Sequence, residues 1–208
     1  IDAYFNTVEP AITTVGEHLA DLTSQLEKNY TDPLEQQGEL WAIAAMDLKT
    51  QAYSTVNAEQ SMQSASVIKA FIMAAVYDKL IYPDEGTTVS SDYESTLKPL
   101  LTSMITVSDN ESCNELGRLQ SDTYDFIDGA KQVNKYLKKE GYTKTSYQST
   151  LHPSASKLIT LGGHNQTTVT DCGKLLERIY RGECVSKEAS EEMLDLLKNQ
   201  QNTSKIPE

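Results

Sequence analysis

Apolar positions recur along the chain with changing periods, and the changes mark the elements. Residues 12–29 place Val15, Leu19, Leu22 and Leu26 at helical spacing. Residues 40–48, LWAIAAMDL, form a nearly unbroken apolar run, which predicts a strand buried on both faces. Lys49 and Thr50 make a turn, and residues 52–57 predict the returning strand. From residue 66 the character changes. SVIKAFIMAAVYDKL, residues 66–80, is apolar almost all round and predicts a buried helix. A loop, PDEG at 83–86, leads to STLKPLLTSMITVSDN, where Leu97, Leu100, Leu101, Met104 and Ile105 keep helical spacing up to Ser108. Helices are predicted near 110–119 and 127–139. The segment from Gly141 to Gln166 is irregular and rich in Ser, Thr and Gly, and a loop of that length in a compact domain is usually functional or mobile. Helices resume at 168–181 and 187–199.

The order is helix, two strands, then many helices. Two strands do not make a stable sheet for a domain of this size. The sheet is therefore expected to be minimal, or to be completed by sequence following Glu208.

Composition narrows the classes. The 208 residues suffice for one large domain or two lobes sharing a core. A net charge of -12 argues against nucleic acid, which needs a basic footprint, and reads as a solvated acidic surface. No run of eighteen apolar residues predicts a membrane span. The start at Ile1, with no signal peptide and no methionine, reads as a removed leader or a trimmed chain. Cys113, Cys172 and Cys184 show no CxxC spacing and allow at most one internal disulfide. Cys172 and Cys184 are expected to flank one helix, which disfavours a bridge between them. There is no G-x-S-x-G, no P-loop and no H-E-x-x-H, and the three histidines are scattered, so neither metal nor cofactor is expected.

The candidate chemistry lies in serine–lysine spacings. S-x-x-K occurs three times, at Ser66–Lys69, Ser95–Lys98 and Ser154–Lys157, so the spacing by itself is cheap. Positions three apart on a helix share a face. A serine at a helix start sits where free N–H groups favour developing negative charge. A buried lysine loses affinity for its proton and can act as a base. Only Ser66–Lys69 follows a strand hairpin and opens an apolar helix. Ser95–Lys98 is followed at once by Pro99 on a half-exposed helix, and Ser154–Lys157 falls in the irregular segment. Ser108-Asp109-Asn110 reads, taken alone, as a helix cap. S-x-x-K followed by S-D-N is, however, a named pair in penicillin-recognising serine enzymes.

With both motifs in order, the sequence resembles the class A β-lactamase family and its relatives among the penicillin-binding serine hydrolases. LWAIAAMDLKTQAYSTVNAEQSMQSASVIKAF is similar to the family's first hairpin and nucleophile helix. MITVSDNESCNEL is similar to the segment with the second serine, and NQTTVTDCGKLLERIYRGECVSKEASEEMLDLLKNQ to the late helices. The resemblance implies an α+β fold of the β-lactamase/transpeptidase type, a helical lobe beside an antiparallel sheet whose C-terminal strands are missing from this chain. It divides the chain into an N-terminal helix with the first two strands (1–60), a helical lobe (61–182) and a late helix returning to the α/β lobe (183–208).

By resemblance, Ser66 is the acylated nucleophile and Lys69 its general base, directly or through water. Ser108 relays a proton to the leaving nitrogen, and Asn110 hydrogen-bonds the substrate amide. Asp109 is structural, Asn114 supports the site wall, and the Ser66 N–H supplies half of an oxyanion hole. Two departures follow. The family's deacylating glutamate has no counterpart: Gly141 to Lys174 contains no glutamate, Asp171 is its one carboxylate, and His152 and His164 are the alternative bases. The family's K-T-G strand is not found either, since the chain ends at KIPE, where that strand would follow. The implied partners are β-lactams or cell-wall peptides, with no nucleic acid. The implied state is a monomer, or a chain paired with a missing C-terminal fragment. The implied location is the bacterial cell surface or secretion, with the leader removed. A D-alanyl-D-alanine carboxypeptidase or transpeptidase-like enzyme and a non-hydrolytic β-lactam sensor are the alternative readings.

Overall fold

The computed structural model describes residues 2–83, 89–152 and 157–202. They fall into two compact units, Ile1–Gln60 with Thr168–Gly173, and Ser61–Thr167 with Lys174–Glu208.

In the first unit a long helix, α1 (Asp2–Leu26), starts earlier than its apolar period and runs through a π-helical turn, Glu27–Thr31, into the short α2 (Asp32–Glu35). Strands β1 (Ile43–Met46) and β2 (Tyr53–Val56) pair antiparallel, with Ile43 opposite Val56 and Met46 opposite Tyr53. Their hairpin is closed by Asp47, whose Oδ1 accepts from both the N–H and the hydroxyl of Thr50 at 2.7 Å. These bonds, the hydroxyl's foremost, hold the Asp47 carboxyl below its usual range. α1 lies against the hairpin, and the hydroxyls of Thr23 and Ser54 meet at 2.6 Å.

β1 is not buried on both faces. Its residues alternate between half-buried and exposed, and Met46 is 41% exposed. β2 is the one strand paired with β1 among the described residues. An apolar run records what a strand tolerates, whereas its burial depends on which elements come to cover it.

The second unit is built around α3 (Ile68–Val76), continued by a π-helical stretch, Tyr77–Ile81. Ile68, Phe71, Ile72, Met73 and Val76 expose nothing to solvent, as the all-round apolar pattern of 66–80 predicts. Burying each such side chain contributes roughly 1.5–3 kcal/mol before conformational entropy is charged against it. α4 (Lys98–Thr106), α5 (Asn110–Leu119) and α6 (Phe126–Lys139) pack on α3. α5 and α6 touch backbone to backbone: a Cβ on Gly129 would lie 2.0 Å from the Gly117 carbonyl oxygen, so only glycine fits there.

Two polar anchors hold the later helices. From α7 (Val169–Arg181), Arg178 donates to Glu140 Oε2 at 2.8 Å and to the Tyr142 hydroxyl at 3.1 Å. From α8 (Lys187–Lys198), Glu192 accepts from the hydroxyls of Tyr77, Tyr82 and Tyr93. Two strands absent from the sequence pattern complete this unit. β3 (Met62–Gln63) pairs antiparallel with β4 (Gln166–Thr167). Two residues are too few to show a period of two.

None of the three cysteines is in a disulfide among the described residues, and Cys172 lies inside α7 rather than flanking it. No helix among the described residues is long and apolar enough to cross a membrane. Most of the loop expected at 83–86, and Lys205 to Pro207 at the chain's end, lie outside the described residues.

Candidate active site

The β3 strand delivers the chain to a sharp turn. Ser64 is buried; its N–H donates to the Asn165 carbonyl at 2.9 Å, and its own carbonyl accepts from Val67 N–H at 2.9 Å. Ala65 takes φ of 44°, a left-handed value that costs a non-glycine residue roughly 1 kcal/mol. A 3₁₀ turn, Ala65–Val67, then feeds α3. Ser66 is thereby exposed at the start of a buried helix, where the first backbone N–H groups have no intrahelical acceptor.

Lys69 stands one turn further on, 2% exposed. Its Nζ lies within hydrogen-bond reach of the Ser108 carbonyl at 2.5 Å, Asn110 Oδ1 at 2.8 Å, Ser108 Oγ at 2.9 Å and Ser66 Oγ at 3.3 Å. Burial pushes the Lys69 ammonium below its ordinary value of 10.5, against the opposing pull of the Asp109 carboxylate. The oxygens around the amine can accommodate a neutral group as well as a charged one. A carbonyl and an amide oxygen can only accept, which uses the two N–H bonds of a neutral amine. Two hydroxyls remain, and either can donate to its lone pair. Cys113, fully buried nearby, has its thiol pushed up to about 12 by burial and stays neutral.

The Ser108–Asn110 segment does two separate jobs. Asp109 is the N-cap of α5, its carboxylate accepting from Ser112 N–H at 2.6 Å, and that bond holds its carboxyl below the usual range. Ser108 has φ of 60°, which lets its carbonyl and its hydroxyl face the same amine.

Opposite lies the irregular segment, and three asparagines fasten it. Asn134 gives its Nδ2 to the Tyr147 carbonyl at 2.8 Å and accepts from Tyr147 N–H at 2.7 Å. Asn114, fully buried, does the same for Leu151, at 3.2 and 2.7 Å. Asn165 accepts from the N–H groups of Gln148 and Ser149 at 2.7 and 2.9 Å and donates to the Ser149 carbonyl at 3.0 Å. Each amide imitates the donor and acceptor of a neighbouring strand.

Between the two sides is a cleft of about 350 Å³, lined by Ser66 and Asn110 on one side and by Ser149, Leu151, His152, His164 and Asn165 on the other. No carboxylate lines it among the described residues.

The structure thus brings Ser66, Lys69, Ser108 and Asn110 together, with Asp109 and Asn114 behind them as supports. Asn134 and Asn165 were not singled out in the sequence. Asn134 is one polar residue among several on α6, and Asn165 lies in the irregular segment; a lone amide in either place carries no spacing signal and ordinarily faces water. The other serine–lysine spacings form no such cluster: Lys98 is exposed and pairs with Glu94 at 3.0 Å, and Ser154 lies outside the described residues. No group of three or more His, Cys, Asp or Glu side chains among the described residues is arranged to hold a metal ion.

The comparisons with known proteins agree on one family. The model of the beta-lactamase enzyme family matches residues 24–82 and 80–208. The chain belongs to the beta-lactamase enzyme family. Its solved structural neighbours include a beta-lactamase from Sphaerobacter thermophilus DSM 20745, at 20% identity and a TM-score of 0.59 over 80% of this chain and 67% of that one. A beta-lactamase from Chitinophaga pinensis DSM 2588 aligns at 19% identity and a TM-score of 0.63, over 85% and 70%. An ancestral class A beta-lactamase aligns at 18% and 0.63, over 88% and 72%. At such identities these neighbours establish the α+β fold of this family. No curated protein matches the chain.

Proposed function

We propose that the chain forms an acyl-enzyme at Ser66 by opening the amide of a β-lactam. The observation that carries this reading is one buried amine within reach of two serine hydroxyls, one of them exposed in a cleft. Lys69, neutral, takes the proton of Ser66 Oγ as that oxygen attacks the lactam carbonyl carbon. The developing oxyanion is met by the Ser66 N–H at the helix start. When the C–N bond breaks, the departing nitrogen takes the Ser108 hydroxyl proton, and Ser108 recovers one from the Lys69 ammonium. Protons balance, and the site returns with only the acyl group added. Asn110 keeps the Lys69 amine aimed while lining the cleft beside the substrate's own amide.

The experiment is intact mass after exposure to benzylpenicillin. The wild-type chain gains one adduct and Ser66→Ala gains none; an adduct that survives in Ser66→Ala refutes the reading. A second reading is a D-alanyl-D-alanine carboxypeptidase or transpeptidase-like enzyme acting on cell-wall peptide. The absence of a lining carboxylate among the described residues favours it, because slow release of the acyl group suits an enzyme that β-lactams trap. Steady-state turnover of a chromogenic cephalosporin separates the two. Either substrate class calls for an exported protein, secreted or at the bacterial cell surface.

A further inference from the structure

We propose that His164 is the base that activates water to remove the acyl group from Ser66. This inference rests on the acyl-enzyme reading above.

The β3–β4 ladder positions it. Met62 pairs with Thr167 and Gln63 with Gln166, and the Ser64 N–H donates to the Asn165 carbonyl at 2.9 Å. The next residue on each side, Ala65 at the turn before the nucleophile and His164, lines the cleft. His164 and Ser66 line the same cleft. The chain on both sides of the histidine is held. Before it, the Thr160 hydroxyl accepts from Gly162 N–H at 2.9 Å and Gly163 N–H at 3.2 Å, and donates to the Gly163 carbonyl at 3.0 Å. After it comes buried Asn165 with its three side-chain bonds. A base must be held in position to work through one water. His152, the other imidazole in the cleft, follows Leu151, which Asn114 fastens, and is the competing base that the test below separates from His164. Among the described residues the titratable groups facing this space are therefore His152 and His164, with the Lys69 amine behind Ser66 and Asn110.

The step balances. A water in the cleft gives a proton to the His164 ring nitrogen as its oxygen bonds to the ester carbonyl carbon. The tetrahedral intermediate collapses, and the carbon–Oγ bond breaks. Ser66 Oγ regains its proton from the imidazolium, which leaves His164 neutral again. The product leaves as a carboxylate, with one proton released to solvent.

The test uses benzylpenicillin and the full chain, following the adduct by intact mass after excess drug is removed. His164→Asn and His164→Gln still form the adduct, and its lifetime lengthens by at least ~100-fold, the lower range for loss of a general base. His152→Asn lengthens it far less. An adduct whose lifetime is unchanged in both His164 variants overturns the inference and leaves the acyl-enzyme reading standing. A longer lifetime in His152→Asn alone also overturns it. No adduct on the wild-type chain or on either His164 variant, with no benzylpenicillin hydrolysed, overturns both.

Discussion

The two sides of the cleft are made by different physics. The Ser66–Lys69 side is a helix whose position is set by apolar burial; Ile68, Phe71, Ile72 and Met73 leave no freedom for the turn that carries the serine. The opposite side has almost no regular structure. It is held by side-chain amides that complete backbone hydrogen bonds, from Asn114, Asn134 and Asn165. The first side positions reacting groups within one helical turn of each other, and packing gives them precision. The second lets a loop approach the nucleophile with only the two-residue β3–β4 pair as regular support. Hydrophobic side chains there would leave the loop's own N–H and C=O groups unpaired.

The sharpest division between the two sides is expected from Lys69→Met. Loss of the amine removes the base and slows adduct formation by ~10²–10⁴-fold, read by stopped-flow or mass. A variant that acylates at the wild-type rate would mean the helix side only scaffolds the site. The loop side breaks differently. Asn165→Ala leaves two backbone N–H groups and one carbonyl without their partner, and urea unfolding is expected to show a loss of about 2–3 kcal/mol. Asn134→Ala, which frees one N–H and one carbonyl at a less buried position, costs less. Equal, negligible losses at both would show that the amides decorate a loop fixed by something else.

A pH series sharpens the electrostatics of the helix side. The folded state holds Lys69 below 10.5, so between its folded value and 10.5 the unfolded chain binds more protons. Stability relative to Lys69→Met therefore rises with pH in that window, by at most about 1.4 kcal/mol per unit for a single proton. A difference independent of pH would contradict the depressed value. Ala65→Gly relieves the left-handed φ but adds freedom to the unfolded chain, so its net effect on stability is within about 1 kcal/mol. Smallest of all is Lys98→Ala in the exposed serine–lysine pair. It leaves acylation untouched and costs less than about 0.5 kcal/mol.

The amino-acid order alone determined α3, its burial and the presence of Ser66 and Lys69 on one side of it, because a 3.6-residue period and an unbroken apolar run are local properties. The Asp109 cap was legible for the same reason: a cap bonds an N–H three residues away. The longer apolar run at 40–48 misled, since burial on a second face requires a second covering element. Tertiary structure alone decided the rest. Lys69 meets Ser108 across 39 positions of sequence, and Leu151 meets Asn114 across 37. The β3–β4 pair, which sets His164 beside the nucleophile turn, joins segments more than a hundred residues apart and is two residues long. Contacts of that kind leave no period in either partner. They exist only once the hydrophobic packing of α3 to α6 has brought the segments together, and the hydrogen bonds then select the register.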